Sequence, residues 1–427
     1  MKKVRERLVR ILRSWIGAIV IFISLFFFHT PYELTLFPAV SVLLQFMPQV
    51  LIVLLFICLI LLHKNPKEFF RQEILLWLVI LWDILYCVCC EVNAVSLQRI
   101  PGEILVYPLG MVLLISVFSK VDTKRFLFCL FMYYLVMNTA NNASVFFFHN
   151  YGMWRGSFQT RISYYTFVGH MNNALEVALP SMLAGILYAR QYDKQWMKVN
   201  VINLIFSIAS VIVIDCVIAV AVYAVIFAAV ILILIYDRKP GIRKGLRWVS
   251  AGSFLVFDLL LFDAVVLLEE TGWMEWLHLD PTVHGRRGIW DTAVNSIIDH
   301  PWIGKGYFTK IEGITAAGSV YTQTHAHSFY LQFPYETGLL GLVLFIAMLF
   351  VCVYAIRKAK SFDIRFVLGV LFGSLCLLYT IEVSRRVLLF LALAVFYYYP
   401  KYLPESKHDP LYPFHPLSFQ TSKHESG

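Results

Sequence analysis

The chain has 427 residues, of which 59% are hydrophobic and only 15% are charged, and its mean hydropathy is +0.70. This composition is too apolar for one water-soluble core, so it excludes an ordinary soluble protein and indicates a membrane protein. The formal net charge of +9 does not indicate a nucleic-acid partner, because most basic residues lie in the connections between apolar runs.

Twelve apolar runs along the chain approach the length of about 20 residues that a membrane-crossing helix needs. We therefore predict an all-α polytopic membrane protein with about twelve transmembrane helices, at residues 15–30, 36–62, 74–91, 104–119, 126–148, 172–189, 199–214, 216–236, 248–268, 337–356, 366–381 and 386–400. Lysine and arginine are concentrated in alternate connections, so the positive-inside rule predicts that both termini are cytoplasmic. Residues 1–268 and 337–400 would form the membrane bundle, and residues 401–427 a cytoplasmic tail.

The longest connection, residues 269–336, falls on the predicted outer side between helices 9 and 10. It contains an amphipathic stretch, Arg286 to Ile298, whose apolar residues recur at helical spacing. Pro301 should end this helix, because proline disfavours helical geometry in the residue before it. We expect residues 269–336 to form an extracytoplasmic catalytic loop of short helices.

Arginines of the predicted outer side are candidate ligands for a charged headgroup. Arg286 and Trp290 are four residues apart and share a helical face, so a guanidinium that holds phosphate would lie beside an indole at the membrane interface. The alternative is that Arg286 and Arg287 only extend to lipid headgroups. Arginine is scarce on outer surfaces, which favours a functional role here, and Arg161 follows the same argument more weakly.

Two histidines, His325 and His327, come shortly before the tenth apolar run. They face the same way only if their segment is extended. Neither a helical HExxH motif nor a cysteine pair accompanies them, so we predict no metal site. A neutral imidazole between water and lipid can accept a proton from a hydroxyl nucleophile. The alternative is a pair of interfacial histidines without a chemical role.

Four segments resemble, in order and spacing, the signature of the O-antigen ligase and polysaccharide polymerase family: GRRGIW at 285–290, HPWIGKG at 300–306, HAHSFYL at 325–331 and ETGLLG at 336–341. Members join glycans carried on undecaprenyl diphosphate to a glycan or lipid acceptor at the outer side of the membrane. The resemblance implies that Arg286 binds the carrier diphosphate and that His327 is the catalytic base. It also implies a metal-independent glycosyltransferase of the bacterial plasma or inner membrane, without a cofactor.

A fifth segment, Gly169-His170-Met171-Asn172-Asn173, resembles the Gly-His-Pro-Asn element of capsular and exopolysaccharide polymerases, with Met171 in place of proline. This resemblance favours a polymerase over a ligase. The predicted substrate-binding residues are then Arg287, Arg161, His325, Trp290, His170 and Asn172. The implied partners are an undecaprenyl-diphosphate-linked oligosaccharide, a glycan acceptor and the lipid bilayer, with flippase and chain-length regulator proteins as further candidates.

The sequence departs from the family pattern at two places. Ser328 replaces the usual asparagine, and Asp215-Cys216 stands where the family often has a Ser-Arg pair. Aspartate would repel a diphosphate, so either another arginine such as Arg161 serves or the activity is altered.

A transporter or flippase is the rival interpretation. Acidic residues inside predicted spans are costly and suggest a function, and here they are Asp83, Glu176, Asp258 and Asp263. A transporter, however, does not need a long outer loop rich in arginine, histidine and tryptophan.

Overall fold

The computed structural model describes residues 2–96, 102, 104–148, 165–170, 174–214, 217–238, 286–307, 311–314, 320–323, 325–326, 328–359, 362–381 and 386–402. Their helices are α1 (Lys2–Leu12), α2 (Trp15–Phe28), α3 (Tyr32–Thr35), α4 (Pro38–Leu62), α5 (Pro66–Gln72), α6 (Ile74–Val92), α7 (Val106–Phe148), α8 (Ala174–Gln191), α9 (Trp196–Val213), α10 (Val217–Arg238), α11 (Arg286–Asp299), α12 (Phe329–Lys358), α13 (Phe362–Ile381) and α14 (Arg386–Tyr402). Two short antiparallel hairpins pair β1 (Tyr165–Thr166) with β2 (Gly169–His170), and β3 (Ile311–Ile314) with β4 (Val320–Gln323).

The described helices are those of a polytopic membrane protein. Five of them are long and apolar enough to cross a bilayer, and α1 with α2 forms a sixth candidate that is bent by 73°. Helices also overlap every predicted run except 248–268, which lies outside the described residues. The total of twelve spans stays a prediction.

Helix α7 contains two of the predicted runs and is interrupted between them. Its backbone leaves the helical region at Asp122, with φ −158° and ψ 85°. The Asp122 carboxylate accepts a hydrogen bond from the Arg125 backbone N–H at 3.0 Å, as a cap does at the start of a helix. The polar residues between runs 104–119 and 126–148 thus mark the break.

The expectation that residues 269–336 consist of short helices is wrong in two respects. The β3–β4 hairpin is extended, since Val320, Tyr321 and Thr322 are residue types that favour strands. Helix α12 begins at Phe329, within the predicted loop, and has a break at Gly338, with φ +67°, where we expected the helix to start. Hydropathy assigns Gln332 and Glu336 to a loop because they are polar. In the structure they lie in a buried helix, since other residues of the protein supply their hydrogen bonds and counter-charge.

Helix α14 is the central helix of the bundle. Its residues from Arg386 to Pro400 are all buried, and it packs against α7, α8, α12 and α13. A helix that is apolar on all sides belongs in the interior of a protein rather than at its surface. Its two ends reach two buried polar clusters, one around Glu73 and one around Glu336.

The Glu73 cluster joins four helices at one end of the bundle. The fully buried Glu73 carboxylate lies 2.6 Å from Lys120 Nζ and 2.9 Å from His63 Nε2. It also accepts hydrogen bonds from the Ser116 and Tyr398 hydroxyls, each at 2.7 Å. Burial raises the pKa of Glu73, but the hydrogen bond from His63 and the charge of Lys120 outweigh it and lower the pKa from 4.5 to about 2.

We predict that Glu73→Gln lowers the free energy of unfolding by about 3–5 kcal/mol, because Lys120 then loses its buried anion. The depressed pKa means that Glu73 stabilises the fold above pH 4.5 and ceases to do so as the pH falls toward 2. Unfolding in detergent should show a large difference between wild type and variant near neutral pH and a small one near pH 2. Glu91→Gln, at an exposed position of α6, is the control and should change little. A Glu73→Gln protein as stable as the wild type would contradict this role.

Candidate functional site

Two of the sequence motifs pack directly on each other. Residues Pro301 to Gly306 run along the break in α12, where Lys305 N–H donates to Tyr335 O at 2.8 Å and Gly306 N–H donates to Glu336 O at 2.9 Å. On the other side of the break, Leu339 N–H donates to Pro301 O at 2.7 Å. The HPWIGKG and ETGLLG segments are therefore partners in one backbone arrangement.

Glycine is required at both positions where these backbones touch. A Cβ at Gly304 would lie 2.4 Å from Tyr335 O and from the Glu336 carbonyl carbon. A Cβ at Gly338 would lie 2.3 Å from Trp302 O, and the φ of +67° with ψ of −169° is a combination that almost only glycine adopts. The motif glycines thus permit the close contact of the two segments.

Helix α11 carries the GRRGIW motif and packs on the HAHSFYL segment. The amphipathic helix that the sequence predicts is confirmed, as is its end just before His300-Pro301. Ile289 and Ala293 form a small buried cluster with Ala326 and Tyr335. Trp290 is buried, and its indole Nε1–H donates to Ala326 O at 2.9 Å. Trp290 therefore packs α11 on this segment, and its predicted role in substrate binding stays a prediction.

The predicted site residues are described to different extents. His325 is half-buried beside Ala326, and Arg286 and Arg287 open α11. His170 ends β2. The side chains of Arg286, Arg287 and His170, and the whole of Arg161, Asn172 and His327, lie outside the described residues. Their assigned roles stay predictions.

A chain of buried polar contacts connects Ala326 with the core of the bundle. Ala326 N–H donates to Gln332 Oε1 at 2.5 Å, and Gln332 Nε2–H donates to Glu336 Oε1 at 2.7 Å. The other carboxylate oxygen of Glu336 forms an ion pair with Arg386 at the start of α14. Gln332, Glu336 and Arg386 are all buried, so each depends on the others for its hydrogen bonds.

Aromatic rings of α6 surround the Arg386 guanidinium. Its central carbon lies 5.3 Å from the ring centre of Trp82 and 5.2 Å from that of Tyr86, which is within the range of cation–π attraction. Helix α6 also reaches the motif turn, since Asn93 Nδ2–H donates to Gly304 O at 2.8 Å. Helices α6, α12 and α14 thus contact and hold the motif segments.

Sequence reasoning did not assign a role to Gln332, Glu336 or Arg386. In the sequence, Arg386 is only the first residue of the predicted span 386–400, and Glu336 is only part of the ETGLLG motif. An arginine that opens an almost wholly apolar helix was the available signal, because an ionisable residue at such a position is expected to have a partner.

The β1–β2 hairpin, which contains Gly169 and His170 of the fifth motif, is held by a separate polar region. Ser144 Oγ accepts from Phe167 N–H at 3.0 Å, and Asn141 Oδ1 accepts from Val168 N–H at 3.4 Å. Below them, buried amides and hydroxyls link α7, α8 and α9, namely Asn138, Asn142, Asn203, Ser181, Ser207 and Ser210. Such contacts between helices in an apolar setting hold the bundle together.

Histidine and carboxylate groups also meet without forming a metal site. His29 Nε2 lies 3.5 Å from Glu176 Oε2, and its Nδ1 lies 3.0 Å from the Tyr134 hydroxyl. In the described ranges, no three histidine, cysteine, aspartate or glutamate residues are grouped so that they could hold a metal ion.

Residues 174–346 match the family model described as O-antigen ligase, which is about two fifths of the chain. This part of the chain is similar to an O-antigen ligase domain. The match begins at the start of α8 and contains all four of the linked motifs, so it confirms the family resemblance of the sequence. The O-antigen ligase domain indicates a membrane glycosyltransferase that acts on a lipid-linked glycan. No curated protein matches the chain significantly.

We predict that Gly304→Ala destabilises the domain by about 3 kcal/mol, near the upper end for an overpacked position, because the new methyl group would meet backbone atoms of α12. Thermal unfolding of the purified protein in detergent measures the loss. Gly102→Ala is the matched control, since the atoms nearest to its methyl group would be side-chain atoms of Tyr107, at 3.2 Å and beyond, rather than backbone. Equal melting temperatures for Gly304→Ala and the wild type would show that the two motif segments are not in contact.

Proposed function

We propose that the protein is a polysaccharide polymerase, which joins undecaprenyl-diphosphate-linked oligosaccharide repeat units by inverting glycosyl transfer on the outer side of the bacterial cell membrane. The O-antigen ligase domain supports the reaction class. The observation that carries the proposal is the hydrogen bond from Trp290 to Ala326, because it joins the arginine-bearing helix to the histidine-bearing segment.

Covalent geometry limits how far the two proposed catalytic groups can be from this bond. Arg286 precedes Trp290 by four residues of helix, and one turn of an α-helix rises about 5.4 Å. His327 follows Ala326 directly, and consecutive Cα atoms are about 3.8 Å apart. A guanidinium and an imidazole that start from these points are able to reach one substrate.

The chemistry follows from the two groups. The oxygen of an acceptor hydroxyl attacks the anomeric carbon of the donor sugar, and the bond from that carbon to the diphosphate oxygen breaks. The undecaprenyl diphosphate leaves with the electron pair, and Arg286 stabilises its developing negative charge. His327 takes the proton of the attacking hydroxyl. Attack from the face opposite the leaving group inverts the anomeric centre.

A polymerase is favoured over a ligase by the GHMNN segment, which resembles an element of capsular polysaccharide polymerases. Its first two residues form β2, and α7 holds that hairpin through Ser144 and Asn141. Transfer of a finished glycan to a lipid or protein acceptor is the second candidate, and the description of the matching domain supports it. The two reactions share the donor and differ in the acceptor.

A flippase is less well supported. Of the acidic residues that favour a transporter, Asp83 has a buried carboxylate oxygen without a hydrogen-bond partner in the described part of the chain, and Asp258 and Asp263 lie outside that part. Glu176 lies beside His29, and Glu336, in the predicted outer loop, pairs with Arg386. Both contacts connect different helices, which is a structural role for the carboxylates. The departure at Asp215-Cys216 lies outside the described residues, and we propose Arg161 as the second cation for the diphosphate.

We predict that His327→Ala and Arg286→Ala each reduce polymer formation by about a hundredfold or more, as expected for loss of a general base or of a group that stabilises a leaving group. The measurement is the glycan ladder of a deletion strain that expresses each variant, with the membrane level of the protein determined in parallel. His408→Ala and Arg357→Ala are matched controls in the predicted cytoplasmic tail and at the exposed end of α12.

The deletion strain itself distinguishes the candidate functions. Loss of a polymerase leaves single repeat units delivered to the outer side, loss of a ligase leaves finished polymer on the lipid carrier, and loss of a flippase leaves lipid-linked units on the inner leaflet. Full-length polymer from both variants would contradict the roles of His327 and Arg286.

A further inference from the structure

Residue Ala326, between the two motif histidines, is fixed through both of its peptide groups. Its N–H belongs to the peptide bond with His325 and donates to Gln332 Oε1 at 2.5 Å. Its carbonyl belongs to the peptide bond with His327 and accepts from Trp290 Nε1 at 2.9 Å. Because a peptide group is planar, fixing these two groups sets the directions in which the chain leaves toward both histidines.

The orientation of the Gln332 amide depends on Glu336. Rotation of a glutamine amide by about 180° about its last side-chain bond exchanges the positions of its oxygen and its nitrogen. Here Nε2–H donates to Glu336 Oε1 at 2.7 Å, and a carboxylate without a proton accepts but does not donate. Glu336 therefore keeps the Gln332 oxygen directed at Ala326.

Arg386 in turn holds Glu336 in place, and its positive charge favours the ionised form of the carboxyl group. The ion pair lies in the buried interior, where opposite charges attract strongly and a lone carboxylate would take up a proton. Arg386 opens the central helix α14 and lies against the rings of Trp82 and Tyr86. The polar contacts thus run from the buried helix α14 to the segment between the histidines.

We propose that Gln332, Glu336 and Arg386 are positioning residues, which orient the peptide groups of Ala326 and thereby the next residue along the chain, the proposed base His327. They act through Ala326 and touch no substrate. The proposal rests on the proposed function in so far as it assigns the base to His327. A displacement of a reacting group by about 1 Å can lower the rate by about a hundredfold. Residues that hold the base in position therefore contribute to the rate.

We predict that Gln332→Met speeds hydrogen exchange of the Ala326 amide by about tenfold or more, because that N–H loses its acceptor. The amides of Lys305 and Gly306 are internal controls. They donate to the backbone carbonyls of Tyr335 and Glu336, so they should stay protected if α12 is folded. In membranes, the turnover of lipid-linked repeat units should fall by about tenfold or more, and kcat should change more than KM, since the displaced group takes part in proton transfer in the transition state.

A milder variant and a matched control complete the experiment. Gln332→Asn shortens the side chain by one carbon–carbon bond of about 1.5 Å and leaves an amide in place, so it should fold while reaching Ala326 poorly. Gln72→Met makes the same chemical change at the other end of the bundle, where Gln72 contacts Glu68 and Tyr402. It should alter neither Ala326 exchange nor turnover.

Two results would overturn the proposal. Unchanged Ala326 exchange in Gln332→Met and Gln332→Asn would show that Gln332 does not hold the segment. Faster exchange with wild-type turnover would show that the position of the segment does not matter for catalysis. Failure of the proposed function is recognised separately, because His327→Ala would then form polymer whatever the exchange rate at Ala326.

Discussion

The buried ion pair of Arg386 and Glu336 is the interaction on which the rest of the site depends. Moving two charges out of water costs several kcal/mol for each, which only a close pair with further hydrogen bonds offsets. Gln332 and the α6 rings provide these additional contacts. The pair also brings the break of α12 to the start of α14. The turn of residues 301–306 is hydrogen-bonded to this break, and α11 packs on Tyr335 beside it.

The helical membrane fold could be predicted from the sequence because the bilayer imposes its own pattern. Apolar runs of the required length predict helices, and polar residues such as Lys120 to Arg125 predict their breaks. The start of α12 and the β3–β4 hairpin could not be predicted in this way. Gln332 and Glu336 are polar, so a hydropathy argument assigns them to a loop, whereas long-range partners allow them to lie in a buried helix.

The sequence predicts which motifs form the site, but it does not predict how these motifs contact each other. Family resemblance directed attention to Arg286 and His327, and the amphipathic pattern predicted α11. No local pattern shows that Trp290 donates to Ala326, or that Gly304 lies against Tyr335 and Glu336. These contacts join residues about 30 or more positions apart, so they depend on tertiary packing. They also explain Gly304 and Gly338, because these two glycines lie where the HPWIGKG and ETGLLG segments meet.

A double-mutant cycle on Glu336→Gln and Arg386→Met tests the central ion pair most directly. Each single change leaves one buried charge without its partner, whereas the double change removes both charges. Measured by unfolding in detergent, each single variant should lose about 3–5 kcal/mol, and the double variant should lose far less than the sum of the two. Strictly additive losses would mean that the two side chains do not interact, and would contradict the arrangement that connects the motif segments with the membrane bundle.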